Sequence, residues 1–141
     1  MDMRQSVLAI CACLLGGAPA AMAQETDIWS GLFSEEQVAR GEALYASNCA
    51  ECHGSELVPS DPDLPTLTAP AFRWSWQMRT LAERYQRIST TMPPARPGDL
   101  DDQEYVDIIA FILAFNGYPA GANELVPDTA RFEQITLSLE P

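Results

Sequence analysis

The amino-acid sequence predicts an all-α protein with three main helices joined by long loops. Three segments combine an N-terminal capping signal with apolar residues at helical spacing. No segment shows the alternation of apolar and polar residues that predicts a strand. The stretches between these helices are rich in proline, which disfavours helix. With 141 residues, the chain is long enough for one domain and too short for two of ordinary size.

The first predicted helix begins after Ser34 and ends near Cys49. Ser34 and Gln37 have the spacing of a capping box, in which each side chain bonds the backbone N–H of the other residue. Gly41 and Tyr45 lie one turn apart, and Cys49 lies one turn further on. All three therefore share one face of this helix.

The second predicted helix covers about residues 81–89 and follows a capping box of Thr80 and Glu83. It lies between two loops that contain several prolines, residues 54–70 and residues 91–98. So few helices and such long loops enclose little core by themselves. A bound apolar group at the centre would stabilise a chain of this kind.

The third predicted helix follows a capping box of Asp101 and Glu104 and ends before Gly117, with Pro119 preventing its continuation. The tail after it is irregular, with a short turn predicted over residues 128–132. The apolar stripe of the third helix is formed by Tyr105, Ile108, Ile109, Ile112 and Leu113, with Phe111 beside it.

Residues 1–23 have the pattern of a signal peptide. Arg4 precedes an apolar stretch, residues 7–15, and small residues lead up to a cleavage site after Ala23. The apolar stretch is too short to span a bilayer, so we expect no membrane anchor. We expect cleavage to leave a mature chain of residues 24–141 in the periplasm.

Cleavage would also remove two of the four cysteines, Cys11 and Cys13. A lipid anchor on either is disfavoured, because the apolar stretch continues past both. Cys49 and Cys52 are then the only cysteines of the mature chain, which excludes a disulfide scaffold. In an oxidising compartment, two remaining thiols indicate a specific use.

The charge is strongly acidic, with 20 Asp and Glu residues against eight arginines, no lysine and a net charge of −12. This balance argues against nucleic acid and anionic membranes as partners. Five arginines fall in a segment whose only acidic residue is Glu83. That segment is either a functional surface or a solvated helix face. Its arginines are Arg73, Arg79, Arg84, Arg87 and Arg96.

The sequence Cys49-Ala50-Glu51-Cys52-His53 is the attachment signature of haem c. Cysteines three residues apart lie one turn apart and can form thioethers to the two vinyl groups of one porphyrin. The next residue, His53, then reaches the iron from the same side. We expect its other ring nitrogen to be fixed by a backbone carbonyl.

Two other uses of a CxxC pair are weaker. A thioredoxin-type redox pair follows a strand in a βαβ unit, and no strand is predicted here. A zinc site needs further ligands, but His53 is the only histidine and no second cysteine pair remains after cleavage. We therefore predict one covalently attached haem.

With one histidine and no lysine in the chain, methionine is the expected sixth ligand of the iron. Met92 is preferred, because two prolines follow it and hold the loop extended. Met78 is the alternative, and packing at the start of the second helix would also explain that residue. A thioether ligand raises the reduction potential.

These residues resemble the class I c-type cytochromes. Gly41, Tyr45 and the CxxCH motif match the first helix and the haem site of that family. The resemblance implies a cytochrome c fold wrapped around one haem, with His53 and Met92 as axial ligands. It also implies that Ile108 and Phe111 pack across the first helix near Gly41.

A narrower resemblance is to the small cytochromes that accompany periplasmic quinoprotein dehydrogenases. It rests on residues 28–31, 34–54, 72–76, 91–93 and 116–121. It implies that Trp76 and Arg79 bond a haem propionate and that Pro70 and Leu81 pack on the haem. Trp74 is assigned either to the core or to a propionate. Phe111, where tyrosine is common, and the lack of lysine depart from this group, so docking through a lysine ring is not expected.

Together these features predict a periplasmic carrier of single electrons rather than an enzyme. The resemblance implies a dehydrogenase as the donor and a terminal oxidase or another cytochrome as the acceptor. A fixed subunit of a dehydrogenase complex is the first alternative. A haem-based sensor or peroxidase-like protein is a weaker one, since the chain has no second histidine.

Overall fold

The computed structural model of the protein describes residues 26–138 and residue 140. Within these residues the regular structure is helical, apart from one isolated antiparallel bridge between Thr80 and Thr136. The predicted all-α fold is therefore confirmed. The predicted leader, residues 1–23, lies outside the described residues. No helix in the described part of the chain is both long and apolar enough to cross a membrane.

A short 3-10 helix, Ile28–Ser30, precedes six α-helices in the described residues. The three longest correspond to the three predicted helices, and the second of them extends two residues beyond its predicted end. The predicted turn near residue 128 is a single helical turn. The α-helices are α1 (Glu35–Asn48), α2 (Ala50–His53), α3 (Ala71–Trp76), α4 (Leu81–Thr91), α5 (Asp102–Phe115) and α6 (Thr129–Phe132).

The N-terminus of α1 differs from its prediction. The Ser34 hydroxyl accepts a hydrogen bond from the Gln37 backbone N–H at 3.1 Å, as a cap should. The Gln37 side chain does not complete the capping box. It is buried, and its Nε2 donates to Asp107 Oδ1 at 2.8 Å and to the Leu125 carbonyl at 2.7 Å. Gln37 therefore ties α1 to α5 instead of capping its own helix.

The starts of α4 and α5 follow their predictions. The Glu83 carboxylate accepts from the Thr80 backbone N–H at 2.9 Å, and the Thr80 hydroxyl accepts from the Glu83 N–H at 3.2 Å. The Glu104 carboxylate accepts from the Asp101 backbone N–H at 2.8 Å. These bonds satisfy N–H groups that have no partner within the helix.

Helices α1 and α5 cross at Gly41, where the two backbones approach closely. A Cβ at Gly41 would lie 1.9 Å from the carbonyl oxygen of Asp107 and 3.0 Å from Phe111 Cβ. Only glycine permits this approach. Ile108 and Phe111 are buried on α5, with Phe111 at the crossing, as predicted.

The N-terminal segment packs on the chain that follows α5. Gly31 has φ +78°, and a Cβ at Gly121 would lie 2.2 Å from the Gly31 carbonyl oxygen. The Gly121 N–H donates to the Phe33 carbonyl at 2.7 Å, and the rings of Trp29 and Tyr118 lie 4.7 Å apart. Two of the segments that carry the narrower resemblance therefore pack on each other, residues 28–31 and residues 116–121.

The C-terminal tail is irregular, as predicted, but it is paired with the segment before α4. The Met78 N–H donates to the Leu137 carbonyl, and the Leu137 N–H donates to the Arg79 carbonyl, at 3.1 and 2.9 Å. Ile135 and Leu137 are fully buried. The tail therefore completes the core beneath α4.

Candidate functional site

The CxxCH motif lies where α1 gives way to α2. The Cys49 N–H still bonds the Tyr45 carbonyl, at 2.8 Å, but its φ and ψ of −124° and −34° leave the helical path. The Cys49 carbonyl then accepts from the N–H groups of Cys52 and His53 at 3.1 and 2.9 Å. These bonds close one compact turn. The two thiols are free, with Cys49 partly buried and Cys52 exposed.

The His53 imidazole is oriented by the loop that follows it. Its Nδ1 lies 3.1 Å from the carbonyl oxygen of Pro65. A carbonyl only accepts, so this contact places the ring proton on Nδ1 and leaves the Nε2 lone pair available to a metal. A hydrogen bond from this ring nitrogen to a backbone carbonyl is expected from the CxxCH motif, although the sequence does not identify Pro65 as the acceptor.

That loop is itself held by two hydrogen bonds at Leu67, two residues after Pro65. The Leu67 N–H donates to the Leu57 carbonyl at 2.8 Å, and Asn116 Nδ2 donates to the Leu67 carbonyl at 2.9 Å. Asn116 lies at the end of α5. The carbonyl that orients His53 is therefore positioned by the main helix of the core.

Tyr45 closes the turn after the motif. Its hydroxyl donates to the Gly54 carbonyl at 2.9 Å. Gly54 has φ +77°, and a Cβ there would lie 2.0 Å from the Val58 carbonyl oxygen, so glycine is required. Burial raises the pKa of the Tyr45 phenol, which keeps it protonated as a donor.

The environment of the thiols does not match a CxxC redox pair. Burial, with a smaller effect of Cys52, raises the pKa of Cys49 to about 11. Catalytic CxxC motifs instead lower the pKa of the attacking thiol. A strand before the motif is also absent from the described residues. Nor do those residues contain a cluster of three or more His, Cys, Asp and Glu side chains able to hold a metal ion, as the zinc alternative would need.

Met92 directly follows the last residue of α4 and begins the loop that leads to α5. Its backbone is extended, and its carbonyl accepts a hydrogen bond from the Tyr105 hydroxyl of α5 at 2.8 Å. Further along the same loop, Arg96 Nη2 lies 3.5 Å from Asn48 Oδ1, one residue before Cys49. The Arg96 side chain of the loop that begins at Met92 therefore reaches the last residue of α1, which directly precedes Cys49.

The two methionine candidates differ in exposure. The Met92 side chain is partly buried, whereas Met78 is 76% exposed and has φ +60°. A ligand to a buried iron must point inward, so this difference favours Met92. Its role as the sixth ligand stays a prediction.

The residues implied in propionate or haem contacts are spread over α3 and the start of α4. Trp76 is buried and stacks on Phe72, and its indole N–H has no hydrogen-bond partner within the described residues. Pro70 is exposed at the start of α3, and Leu81 is fully buried. Arg79 is exposed and pairs with Glu83 at 3.5 Å.

Trp74 lies on the opposite face of α3 from Phe72 and Trp76 and is 89% exposed. This exposure excludes the core assignment that the sequence left open for it. Trp76 can donate to a ligand without losing a protein bond, whereas Arg79 would have to share its guanidinium with Glu83. The contacts of all these residues with a cofactor stay predictions.

The side chains present fit haem c on three counts. Two free thiols lie one turn apart, the adjacent imidazole has its Nδ1 committed to a carbonyl and its Nε2 available, and a partly buried thioether lies in a neighbouring loop. His53 and Met92 would hold the iron, and Cys49 and Cys52 would hold the porphyrin. These elements in a helical fold define a class I c-type cytochrome.

Comparison with known families agrees with this class. Residues 36–112 match the family model described as cytochrome C oxidase, cbb3-type, subunit III. The match covers more than half of the chain, from the first turn of α1 through most of α5, and includes the CxxCH motif and Met92. The chain belongs to this family of cytochrome c domains, which implies haem c as its cofactor.

A solved structure, the sulfane dehydrogenase SoxCD from Paracoccus pantotrophus, is similar in fold. It is 25% identical, with a TM-score of 0.51 over 87% of this chain and 68% of that chain. No curated protein matches the sequence. Neither the matching family nor the similar solved structure is a quinoprotein dehydrogenase by its name, so that partner stays a prediction.

Proposed function

We propose that this chain is an exported electron carrier that holds one haem c, attached through Cys49 and Cys52 and ligated by His53 and Met92. The observation that carries the proposal is the contact of His53 Nδ1 with the Pro65 carbonyl beside two unbridged thiols. This contact leaves the Nε2 lone pair of His53 available to bind iron. When bound, haem c would supply reversible one-electron chemistry, with His53 and Met92 retained as its ligands.

Three hydrogen bonds to backbone carbonyls hold the two proposed ligands, His53 and Met92, in place. Pro65 orients the imidazole, the Tyr45 bond to Gly54 fixes the turn after it, and Tyr105 fixes the backbone at Met92. Ligands held in this way reorganise little between oxidation states. Since His53 is the only histidine of the chain, no second imidazole is available as a distal acid or base. This favours a carrier over an enzyme or a gas sensor.

The proposed route runs from a periplasmic dehydrogenase, expected to be a quinoprotein, to a terminal oxidase or another cytochrome. The family model carries the name of an oxidase subunit, and the similar solved structure is a dehydrogenase. Both findings support a carrier that accepts electrons from a dehydrogenase and passes them to an oxidase. Contacts of this kind are small and transient.

A second candidate is a fixed cytochrome subunit of a dehydrogenase complex. It is favoured by the similarity to a sulfane dehydrogenase that extends over 87% of this chain. Size-exclusion chromatography of a native extract distinguishes the free shuttle from the fixed subunit. Elution near the mass of the monomer supports the shuttle, and co-elution with a large dehydrogenase supports the subunit.

Expression of the full chain in a host that matures c-type cytochromes tests the proposal. We expect a mass equal to residues 24–141 plus one haem, a reversible one-electron titration, and no carbon monoxide adduct of the reduced protein. A mass that retains residues 1–23 would contradict the leader assignment. Carbon monoxide binding would contradict a closed six-coordinate carrier.

A further inference from the structure

Asn116 and Gly117, which directly follow α5, form an asparagine–glycine pair, a sequence prone to spontaneous deamidation. Because glycine has no Cβ, its backbone nitrogen can reach the carboxamide carbon of the preceding asparagine with little hindrance. Gly117 is exposed and has φ +94°. Apart from its chain neighbours, no described residue has an atom within 4 Å of the position that a Gly117 Cβ would take. The space around Gly117 is therefore open, and the reactivity of the pair depends on what holds Asn116.

Three hydrogen bonds hold the reacting atoms of this pair in the folded chain. Asn116 Nδ2 donates to the Leu67 carbonyl at 2.9 Å and to the Ile112 carbonyl at 2.8 Å. The Gly117 N–H donates to the Ala114 carbonyl at 2.9 Å. The nitrogen that would leave in a deamidation and the nitrogen that would attack are therefore both committed as donors to backbone carbonyls.

The backbone of Asn116 is also turned away from the reactive conformation. The reaction closes a five-membered ring, which requires the Asn116 Cβ and the Gly117 nitrogen to be nearly eclipsed about the Asn116 Cα–C bond. Tetrahedral geometry places that arrangement at a ψ of about −120°. In the structure ψ of Asn116 is 10°. The peptide bond to Gly117 must therefore turn before attack, and this turn breaks the hydrogen bond of the Gly117 N–H to Ala114.

We propose that Asn116 is a deamidation site that the folded chain suppresses, and that its reaction releases the loop presenting Pro65 to His53. Ring closure needs a local opening at the end of α5, and such openings are rare in a folded protein. The reaction is therefore confined to chains in which this end of the helix has unfolded. The suppression is a property of the fold alone, and only the consequence for an iron ligand at His53 rests on the proposed function.

The reaction is an intramolecular displacement followed by hydrolysis. The Gly117 nitrogen loses its proton to solvent and bonds to Asn116 Cγ, and the bond between Cγ and Nδ2 breaks. Nδ2 takes up a proton and leaves as ammonia, so that a cyclic succinimide remains. Water then opens the ring at either of its carbonyls and gives aspartate or isoaspartate in place of Asn116. Water is the only co-reactant.

Deamidation replaces a donor that fits two carbonyls with a carboxylate that repels them. An ionised carboxylate has no hydrogen to donate, so the Leu67 and Ile112 carbonyls would lose this partner and face a negative charge. Leu67 lies two residues after Pro65, whose carbonyl orients the His53 ring. Loss of the bond to Leu67 would therefore loosen the acceptor that directs His53.

Peptide mapping of the holoprotein by mass spectrometry tests the suppression. Folded and urea-unfolded samples are held at mildly alkaline pH in water enriched in heavy oxygen, which labels each hydrolysis. We expect Asn116 to react about tenfold faster in urea than in the folded protein. Gly117→Ala should slow the reaction in urea, because the added Cβ hinders attack. Asn123, which is exposed and precedes Glu124, is the internal control and should react slowly in both samples.

Hydrogen exchange of the Asn116→Asp holoprotein, which carries a product of the reaction, tests the release of the loop. The Leu67 N–H, which bonds the Leu57 carbonyl at 2.8 Å, should exchange about tenfold faster than in the wild type. The Nδ1–H resonance of His53 should also shift. Asn123→Asp adds the same charge at an exposed position and should change neither signal.

Three results would overturn the inference. They are no reaction at Asn116 in urea, equal rates in the folded and unfolded samples, and equal Leu67 exchange in the two aspartate variants. If Asn116→Asp does not fold, Asn116→Leu, which removes the donor without adding charge, replaces it in the exchange measurement. A protein without a reversible one-electron titration would refute the carrier function and leave this inference standing, because peptide mapping follows the asparagine and not the iron.

Discussion

Replacing Gly41 with alanine tests whether the α1–α5 crossing determines the stability of the fold. The new Cβ would lie 1.9 Å from the Asp107 carbonyl oxygen, where ordinary contact begins at 3.4 Å, so the helices would have to separate by about 1.5 Å (3.4 − 1.9). The Gln37 and Arg40 bonds to the Asp107 carboxylate, at 2.8 and 2.9 Å, resist that movement.

Two effects of Gly41→Ala have opposite signs. Alanine improves helix propensity by about 1 kcal/mol. Overpacking costs about 1–3 kcal/mol, and weakening the buried bonds of Asp107, which is 4% exposed, costs about 1–3 kcal/mol more. The steric and hydrogen-bond costs exceed the gain in propensity, so we expect a net loss of about 1–5 kcal/mol in the free energy of unfolding.

Urea denaturation of the holoprotein measures this loss. Ala43→Gly, at an exposed position of the same helix, is the matched control and should cost about 1 kcal/mol through propensity alone. A Gly41→Ala protein as stable as the wild type would refute the reasoning, because the crossing would then have relaxed around the new methyl group.

Three further predictions concern single contacts. Met92→Ala should abolish the far-red methionine–iron band and lower the reduction potential, whereas Met78→Ala should change neither; the reverse result would assign the ligand to Met78. Tyr105→Phe removes the donor to the Met92 carbonyl and should lower the unfolding free energy by about 1 kcal/mol in urea, and an unchanged midpoint would contradict this. The hydrogen bond from Arg40 lowers the pKa of Glu124 in the folded protein. The Glu124 carboxylate therefore contributes its full stabilisation above the unfolded pKa, about 4.3, and this stabilisation is lost as the pH falls through the lower pKa of the folded state. Glu124→Gln should therefore flatten the acid limb of the stability curve, and an unchanged acid limb would refute this coupling.

The three main helices could be predicted because their signals are local. Thr80 with Glu83 and Asp101 with Glu104 lie three residues apart, and each pair forms bonds within one turn. Gln37 has the same spacing from Ser34, yet its side chain bonds Asp107, 70 positions away. A local rule cannot show that a buried carboxylate in another helix offers a better partner.

The rest of the site depends on contacts that leave no sequence pattern. Every residue has a carbonyl, so nothing in the sequence identifies Pro65 as the acceptor for His53. Helix α3 follows Pro70, which makes no side-chain capping bond, so it has no start signal of the usual kind. The pairing of Leu137 with Arg79 joins segments 58 positions apart through backbone atoms alone.

Helix α5 connects the two sides of the proposed iron site. At its N-terminal end Tyr105 holds the Met92 backbone, and just after its last residue Asn116 holds the loop that presents Pro65 to His53. These residues are 11 positions apart, or about 16 Å along the helix. One rigid element thus sets the positions of both proposed ligands, and its crossing with α1 sets their relation to the cysteines. A shift at Gly41 should therefore disturb the methionine–iron band as well as the stability. If Gly41→Ala lowered stability but left that band unchanged, the two ligand loops would have to be positioned independently of the crossing.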